Sequence, residues 1–158
     1  MSRLEVPITG RFLWHTGDLR RWVDLDLFLK DRLGRWRQRT FRMDTASDLT
    51  TMAASEAKRL DLPLPPHAVL GALHRPTGLA IRSGLLRFRI RGPDAIEYAL
   101  PCLFLGDPDA PPNPSAPATV PRRLLQPFQL IDQLRFVIDQ DPHSTALYGT
   151  LTIEQKVP

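Results

Sequence analysis

With a single cysteine, Cys102, the chain has no second thiol for an internal disulfide. Its fold is therefore not an oxidised, cross-linked scaffold, and a reducing compartment suits it. Long apolar runs are missing as well: none approaches the roughly 20 residues that a membrane-spanning helix needs. The start, Met1-Ser2-Arg3-Leu4-Glu5, lacks the apolar core of a signal peptide. Together these absences predict a cytoplasmic protein with no membrane partner. No histidine stands at metal-ligand spacing from another histidine or a cysteine, so His15, His67, His74 and His143 are expected to be structural or exposed. Cys102 lies in an apolar run with no adjacent base or cation, which predicts a buried structural thiol.

What is present describes one domain. A length of 158 residues can bury a real core, and 42% hydrophobic with 24% charged residues is ordinary for a globular chain. The 16 prolines, about twice average usage, favour many short elements over long helices. A net charge of +4 fits a nucleic-acid partner in principle. However, Arg87, Arg89 and Arg91 interleave with Leu86, Phe88 and Ile90. Such alternation marks a half-solvated strand. With no zinc-finger spacing and no basic helical stripe, no nucleic-acid partner is expected.

Strand-like fragments around Ile8 to Trp14 end at the Thr16-Gly17-Asp18 turn signal. From Trp22 to Leu29 the apolar residues Val23, Leu25, Leu27 and Leu29 share one face, predicting a strand. Asp24 and Asp26 fall on its other face, a pattern open to an acid/base or metal reading but better suited to solvent exposure. Lys30 to Gly34 turns the chain, and Trp36 to Met43 predicts the returning strand. Leu49, Met52, Ala53, Ala57 and Leu60 then recur at helical spacing, with Thr50 or Thr51 as cap and Pro63 as stop. Leu79 to Arg82 and Leu85 to Arg91 read as two strands separated by Ser83-Gly84, after a turn cluster at His74-Arg75-Pro76-Thr77-Gly78. Gly92-Pro93-Asp94 turns again before an alternating strand from Ile96 to Phe104. Gly106 to Pro121 reads as an exposed proline-rich loop. Leu124-Leu125, a helical turn from Pro127, and strands at Leu134–Ile138 and Leu147–Ile153 complete a mostly β chain.

The stretch Arg42-Met43-Asp44-Thr45-Ala46-Ser47-Asp48-Leu49-Thr50 holds the chemistry of most interest. An acid leaves a strand and is followed by residues small enough for a substrate backbone to approach. That arrangement suits a carboxylate catalyst, and it equally suits an ordinary strand-to-turn junction, since Asp, Thr and Ser are turn and cap residues.

The order of parts narrows the choice. A hairpin feeding Asp44-Thr45-Ala46-Ser47-Asp48, an Ala54-Ser55-Glu56-Ala57-Lys58-Arg59-Leu60 segment, a glycine-containing hairpin and Leu124-Leu125 before a short helix follow in sequence. Over roughly residues 21–139 this resembles the retropepsin-like aspartic proteases, single-lobe relatives of the pepsin-type enzymes. The resemblance implies a closed β-barrel of acid-protease type with one or two short helices, over residues 1–158 as a single domain. It implies that Asp44 is the catalytic acid and that Thr45 and Ala46 support the active-site loop. Ser47 and Asp48, with Arg75, Pro76, Thr77 and Gly78 at the tip of a flap hairpin, become substrate contacts. Ala46 stands where that family has a glycine, and Gln126-Pro127 replaces the glycine of its second motif. The chemistry needs two carboxyls sharing a proton, one activating water and the other donating a hydrogen bond to the scissile carbonyl. No other Asp here is followed by Thr or Ser and a small residue, so the resemblance implies a homodimer acting on a polypeptide, with no cofactor and no metal. An impaired dimeric module that holds peptides or serves assembly is the other reading, motivated by Ala46 and Gln126-Pro127.

Overall fold

In a computed structural model, residues 3–90, 96–112, 122–139 and 148–156 are described. The expected turn at Gly92-Pro93-Asp94, Arg91, His143, Leu147 and the proline-rich stretch from residue 113 to Pro121 lie outside them. The described chain is mostly β-strand: β1 (Arg3–Pro7), β2 (Thr9–Leu13), β3 (Asp18–Trp22), β4 (Asp24–Lys30), β5 (Trp36–Met43), β6 (Thr50–Ala53), β7 (Leu73–His74), β8 (Leu79–Ile90), β9 (Glu97–Leu105), β10 (Leu124–Leu125), β11 (Leu134–Asp139) and β12 (Thr150–Gln155). One α-helix, α1 (Ala54–Arg59), and a 3-10 turn at Pro127–Leu130 accompany them.

The strands form a main sheet in the order β4-β5-β10-β6-β9-β8-β7, a sheet β1-β12-β11 and a two-stranded ribbon β2-β3. In the main sheet β8 also pairs with β4, Leu27 lying opposite Ile90, so β4 has partners on both sides. The expected alternation in β4 is observed: Leu25, Leu27 and Leu29 are buried, with Leu25 opposite Phe41 of β5. Asp24 and Asp26 face the other way, each bonded to the residue directly across the ladder. Asp24 accepts from Arg42 at 3.2 Å and Asp26 from Thr40 at 2.7 Å. These two acids are cross-strand partners, not a ligand pair. Tyr98, Leu100, Cys102 and Phe104 alternate inward along β9 as expected. Phe41, Phe88, Phe104, Met52 and Leu125 meet in one core, where full burial of each large side chain contributes about 1.5–3 kcal/mol. Burial also pushes the Cys102 thiol well up, leaving it protonated.

Three local expectations are corrected. The helix predicted over residues 49–60 is a strand for its first part: Thr50–Ala53 pairs parallel with Cys102–Leu105, and all four residues are buried. A central strand covered on both faces has no period-2 signature, so its apolar residues can mimic helical spacing. The helix that follows has no side-chain cap, and it ends at Arg59, with Asp61 beyond the Leu60 cap in the left-handed region (φ 56°), before Pro63 is reached. Ser83-Gly84 does not divide two strands, because β8 runs unbroken from Leu79 to Ile90. Gly84 marks a close approach instead: a Cβ there would lie 2.9 Å from the Phe104 ring and 3.1 Å from Pro65. Finally, Trp22 ends β3, and β4 begins two residues later.

The turn between β4 and β5 is organised by Asp31, which is only 4% exposed. Its Oδ1 accepts the N–H groups of Leu33 and Arg35 at 2.9 and 2.8 Å, and its Oδ2 accepts Nε of Arg35 and Arg37 at 2.9 and 3.3 Å. Burial by itself raises the carboxyl's pKa, but the Arg35 and Leu33 hydrogen bonds and the Arg35 charge outweigh it and hold the group below its ordinary value. A lowered folded-state pKa stabilises the fold above the unfolded value of about 3.9. That contribution is lost as pH falls through the lower folded value. Asp31→Asn is therefore expected to be less stable than wild type at neutral pH, with the gap narrowing below about pH 4 in thermal melts taken across the acid range. A gap that does not change with pH would assign the whole cost to packing and reject the electrostatic account.

Candidate active-site cleft

The loop after β5 is shaped by one topological fact. β10 lies between β5 and β6, parallel to the first (Leu124 opposite Arg42) and antiparallel to the second (Leu124 opposite Thr51). The chain from Met43 to Thr50 must therefore arch past the end of the strand inserted beneath it. Met43 N–H still reaches Val23 O at 2.9 Å, and Asp44 N–H reaches Leu125 O at 2.9 Å. The regular ladder then stops. Asp44 Oδ1 accepts from Ala46 N–H at 2.9 Å, an Asx turn that orients the carboxylate, and Ser47 Oγ donates to Leu49 O at 2.6 Å.

Beneath this loop sits a buried polar network. Gln126 Nε2 donates to Thr45 O at 3.1 Å and also to Ser47 O, while its Oε1 accepts Phe128 N–H at 2.9 Å. Both amide hydrogens and the carbonyl oxygen are thereby used. Gln126 N–H donates to Thr50 Oγ1 at 3.1 Å, Thr50 Oγ1 donates to Gln129 Oε1 at 2.6 Å, and Gln129 Nε2 reaches Pro101 O at 2.9 Å. One side chain thus ties the loop to the 3-10 turn, and a second ties that turn to β6 and β9.

The opposite wall is the β7–β8 hairpin. Thr77 and Gly78 N–H both donate to His74 O, at 3.2 and 2.7 Å, and His74 Nδ1 meets Thr77 Oγ1 at 2.8 Å. Gly78 adopts φ +69°, which this turn requires and L-residues resist. Between loop and hairpin lies a cleft of about 620 Å³. Its rim carries Asp44, Ala46, Ser47 and Asp48 from one side, and Arg75, Pro76 and Thr77 from the other. Its apolar lining comes from Leu49, Ile81, Leu103, Leu105 and Leu124.

Most of the residues singled out from sequence converge here, although the loop and the hairpin tip are some thirty positions apart in the chain. Two do not. Gly78 is absent from the lining and serves the turn. Thr45 faces away, lining with Asp44 a separate apolar groove of about 670 Å³ that includes Trp22, Phe128 and Ile131. Thr45 is exposed, and its hydroxyl makes no hydrogen bond among the described residues. His74, expected to be structural or exposed, holds the turn through Thr77 and also lines the cleft, as do Leu73 and Arg122. Nothing local in the sequence marks Arg122 or the β9 leucines, which arrive by strand pairing. Among the described residues no three His, Cys, Asp or Glu side chains gather as a metal site requires. Nor is any described helix long and apolar enough to cross a membrane. No family model, no curated protein and no solved structure matches this chain.

Removing the Gln126 amide strands the carbonyls of Thr45 and Ser47 and the Phe128 N–H. Gln126→Ala is expected to cost about 1–3 kcal/mol, the usual penalty for orphaned buried polar groups. Amide hydrogen exchange at Ala46 to Asp48 should accelerate more than in β9. Unchanged exchange in the loop would show that it is held by something other than Gln126.

Proposed function

We propose that this chain is a retropepsin-like aspartic endopeptidase that works as a two-fold homodimer, each copy supplying one Asp44 to a shared catalytic pair. The observation that carries the reading is the placement of Asp44 on the rim of a cleft roofed by the Arg75–Thr77 turn. An acid at a strand exit and a hairpin tip facing it across a partly apolar groove are the parts an extended peptide substrate needs. The return pairing of β8 with β4 supports a closed-barrel reading of the main sheet, and the chain's composition supports a cytoplasmic one.

The chemistry follows from putting two carboxyls together. Like charges a few ångströms apart cannot both ionise readily, so the pair keeps one proton between them. The ionised member takes a proton from water as its oxygen attacks the scissile carbonyl. The protonated member donates to the carbonyl oxygen, which becomes the second hydroxyl of a tetrahedral diol. Collapse expels the amine, which receives a proton from one acid while a diol hydroxyl returns its proton to the other, so the pair again holds one proton. Asp44 belongs also to the groove that includes Trp22, Phe128 and Ile131, and this apolar surface beside a lone acid suits a second copy. Free peptide N–H and C=O groups would pair with the backbone of loop and hairpin, leaving side-chain preference to the cleft lining.

A second reading keeps the dimer and the peptide but not the hydrolysis. The exposed Ala46 methyl is part of the cleft lining, beside the acid, where it takes up space next to an incoming scissile bond. A statine-type inhibitor that binds, together with no turnover across a broad peptide library, would favour this module. The active reading predicts cleavage of unfolded polypeptide at mildly acidic pH, lost by roughly a thousandfold in Asp44→Asn, within the range general acid–base groups contribute. Folding and dimerisation of that variant should be unchanged by circular dichroism and sedimentation. Cleavage that survives the substitution, or a wild-type chain that sediments as a monomer under assay conditions, would sink the proposal.

A further inference from the structure

Several arginines in this molecule are tied to acids. Arg35 and Arg37 hold Asp31, Arg39 and Arg123 hold Glu56, Arg42 holds Asp24, and Arg87 pairs with Glu97. Arg75 and Arg122 belong to the described arginines without such a partner, and they are the arginines that line the Asp44 cleft. Both are exposed, and neither has an acid within ion-pair distance among the described residues. They also reach the cleft from opposite sides, Arg75 on the hairpin turn and Arg122 on the segment leading into β10. Asp44 and Asp48 share the lining without pairing with either.

We infer that the cleft selects extended peptides carrying an acidic side chain next to an apolar one, with Arg75 and Arg122 as the carboxylate's partners and Leu49, Ile81, Leu103 and Leu105 receiving the apolar neighbour. The inference deepens the proposed function: it rests on the cleft holding a peptide, and not on whether that peptide is cut. Guanidinium groups favour carboxylates because two N–H donors match two oxygens in one plane. A concave site with an apolar floor lowers the effective dielectric, so a charge pair formed there is stronger than one in open water. The apolar floor separates this ligand from a bare phosphate or sulfate, which offers the leucines nothing. A basic side chain would meet the two arginines as like charges, leaving only the acids of the loop to attract it.

The test is a binding titration, by fluorescence anisotropy, of the full-length Asp44→Asn protein with three labelled peptides. They share an apolar core and differ at one flanking position, which is Glu, Gln or Lys. The expected order is Glu over Gln over Lys, with Glu favoured over Gln by about 3- to 10-fold, as for a partly exposed ion pair. The ratio should shrink on adding salt and collapse in Arg75→Ala/Arg122→Ala. The ribbon supplies a control, since Arg11 and Arg20 lie directly opposite each other there and have no acid partner among the described residues. Arg11→Ala/Arg20→Ala should leave the ratio where it was. Equal binding of all three peptides, a preference for Lys, or a preference abolished by the ribbon variant overturns the inference while leaving a peptide groove in place. No binding of any peptide overturns both the inference and the proposed function.

Discussion

The insertion of Leu124–Leu125 between β5 and β6 is the constraint on which the rest of this structure depends. The two strands joined by the Asp44 loop are held apart by a third, so the loop cannot close as a tight hairpin and must pass over that strand's end. An arch of this kind exposes backbone groups that a ladder would have used, and buried ones must find other partners. Leu125 O takes the Asp44 N–H, and the Gln126 amide takes the carbonyls of Thr45 and Ser47. The residue that follows the inserted strand is therefore the residue that holds the loop. A glycine at position 126 would leave those two carbonyls without the amide that braces them.

A second requirement is electrostatic. β5 presents Arg37 and Arg39 opposite the fully buried Leu29 and Leu27, so its arginine stems run along apolar surface while their heads seek charge. Asp31 and Glu56 receive them, and Arg123 adds a second cation to Glu56 at 2.8 Å. The Glu56 cluster joins α1, β5 and the segment before β10 from the side away from the cleft. The inserted strand is thereby fixed at both ends, by Arg123 before it and by Gln126 after it. Removing one member of such a cluster leaves the others uncompensated, which costs more than the pair contributes in water.

How much of this is legible in the sequence depends on whether the signal is local. β4 and β9 show period-2 burial because one face meets the core and the other solvent, and both are readable from Leu25-Leu27-Leu29 and Tyr98-Leu100-Cys102-Phe104. β5 shows no strict alternation and is readable instead as the strand returning from the turn at Lys30 to Gly34. β6 is not readable, because Thr50–Ala53 is covered on all sides and its neighbours are supplied by Cys102–Leu105 and Leu124, far along the chain. Gly84 misleads in a similar way: its reason is the Phe104 ring, and nothing within a few residues records that contact. Half of the cleft is legible, since the Asp44–Asp48 loop and the Arg75–Thr77 turn both carry turn chemistry. The other half is not. Leu103, Leu105 and Arg122 acquire a role only when strand pairing brings them under the loop.

The two walls of the cleft differ in how firmly they are held, and that difference bears on how the proposed peptide substrate would enter. The loop wall rests on a network in which Gln126, Thr50 and Gln129 satisfy one another, with Gln126 and Thr50 nearly inaccessible to solvent. The hairpin wall rests on two residue pairs, Leu73 with Ala80 and His74 with Leu79, and its turn from Arg75 to Gly78 is exposed throughout. A short ladder with solvent on its outer side opens at low free-energy cost, whereas a buried satisfied network does not. By this reasoning the roof is the wall that opens first, while the Asx turn holds the Asp44 carboxylate. On the proposed function, an extended chain would enter by lifting the Arg75–Gly78 turn, with the apolar floor and the Asp44 loop left in place. The division suits a site that must admit a long polymer sideways yet keep its reacting group in register, because access and positioning are assigned to different strands.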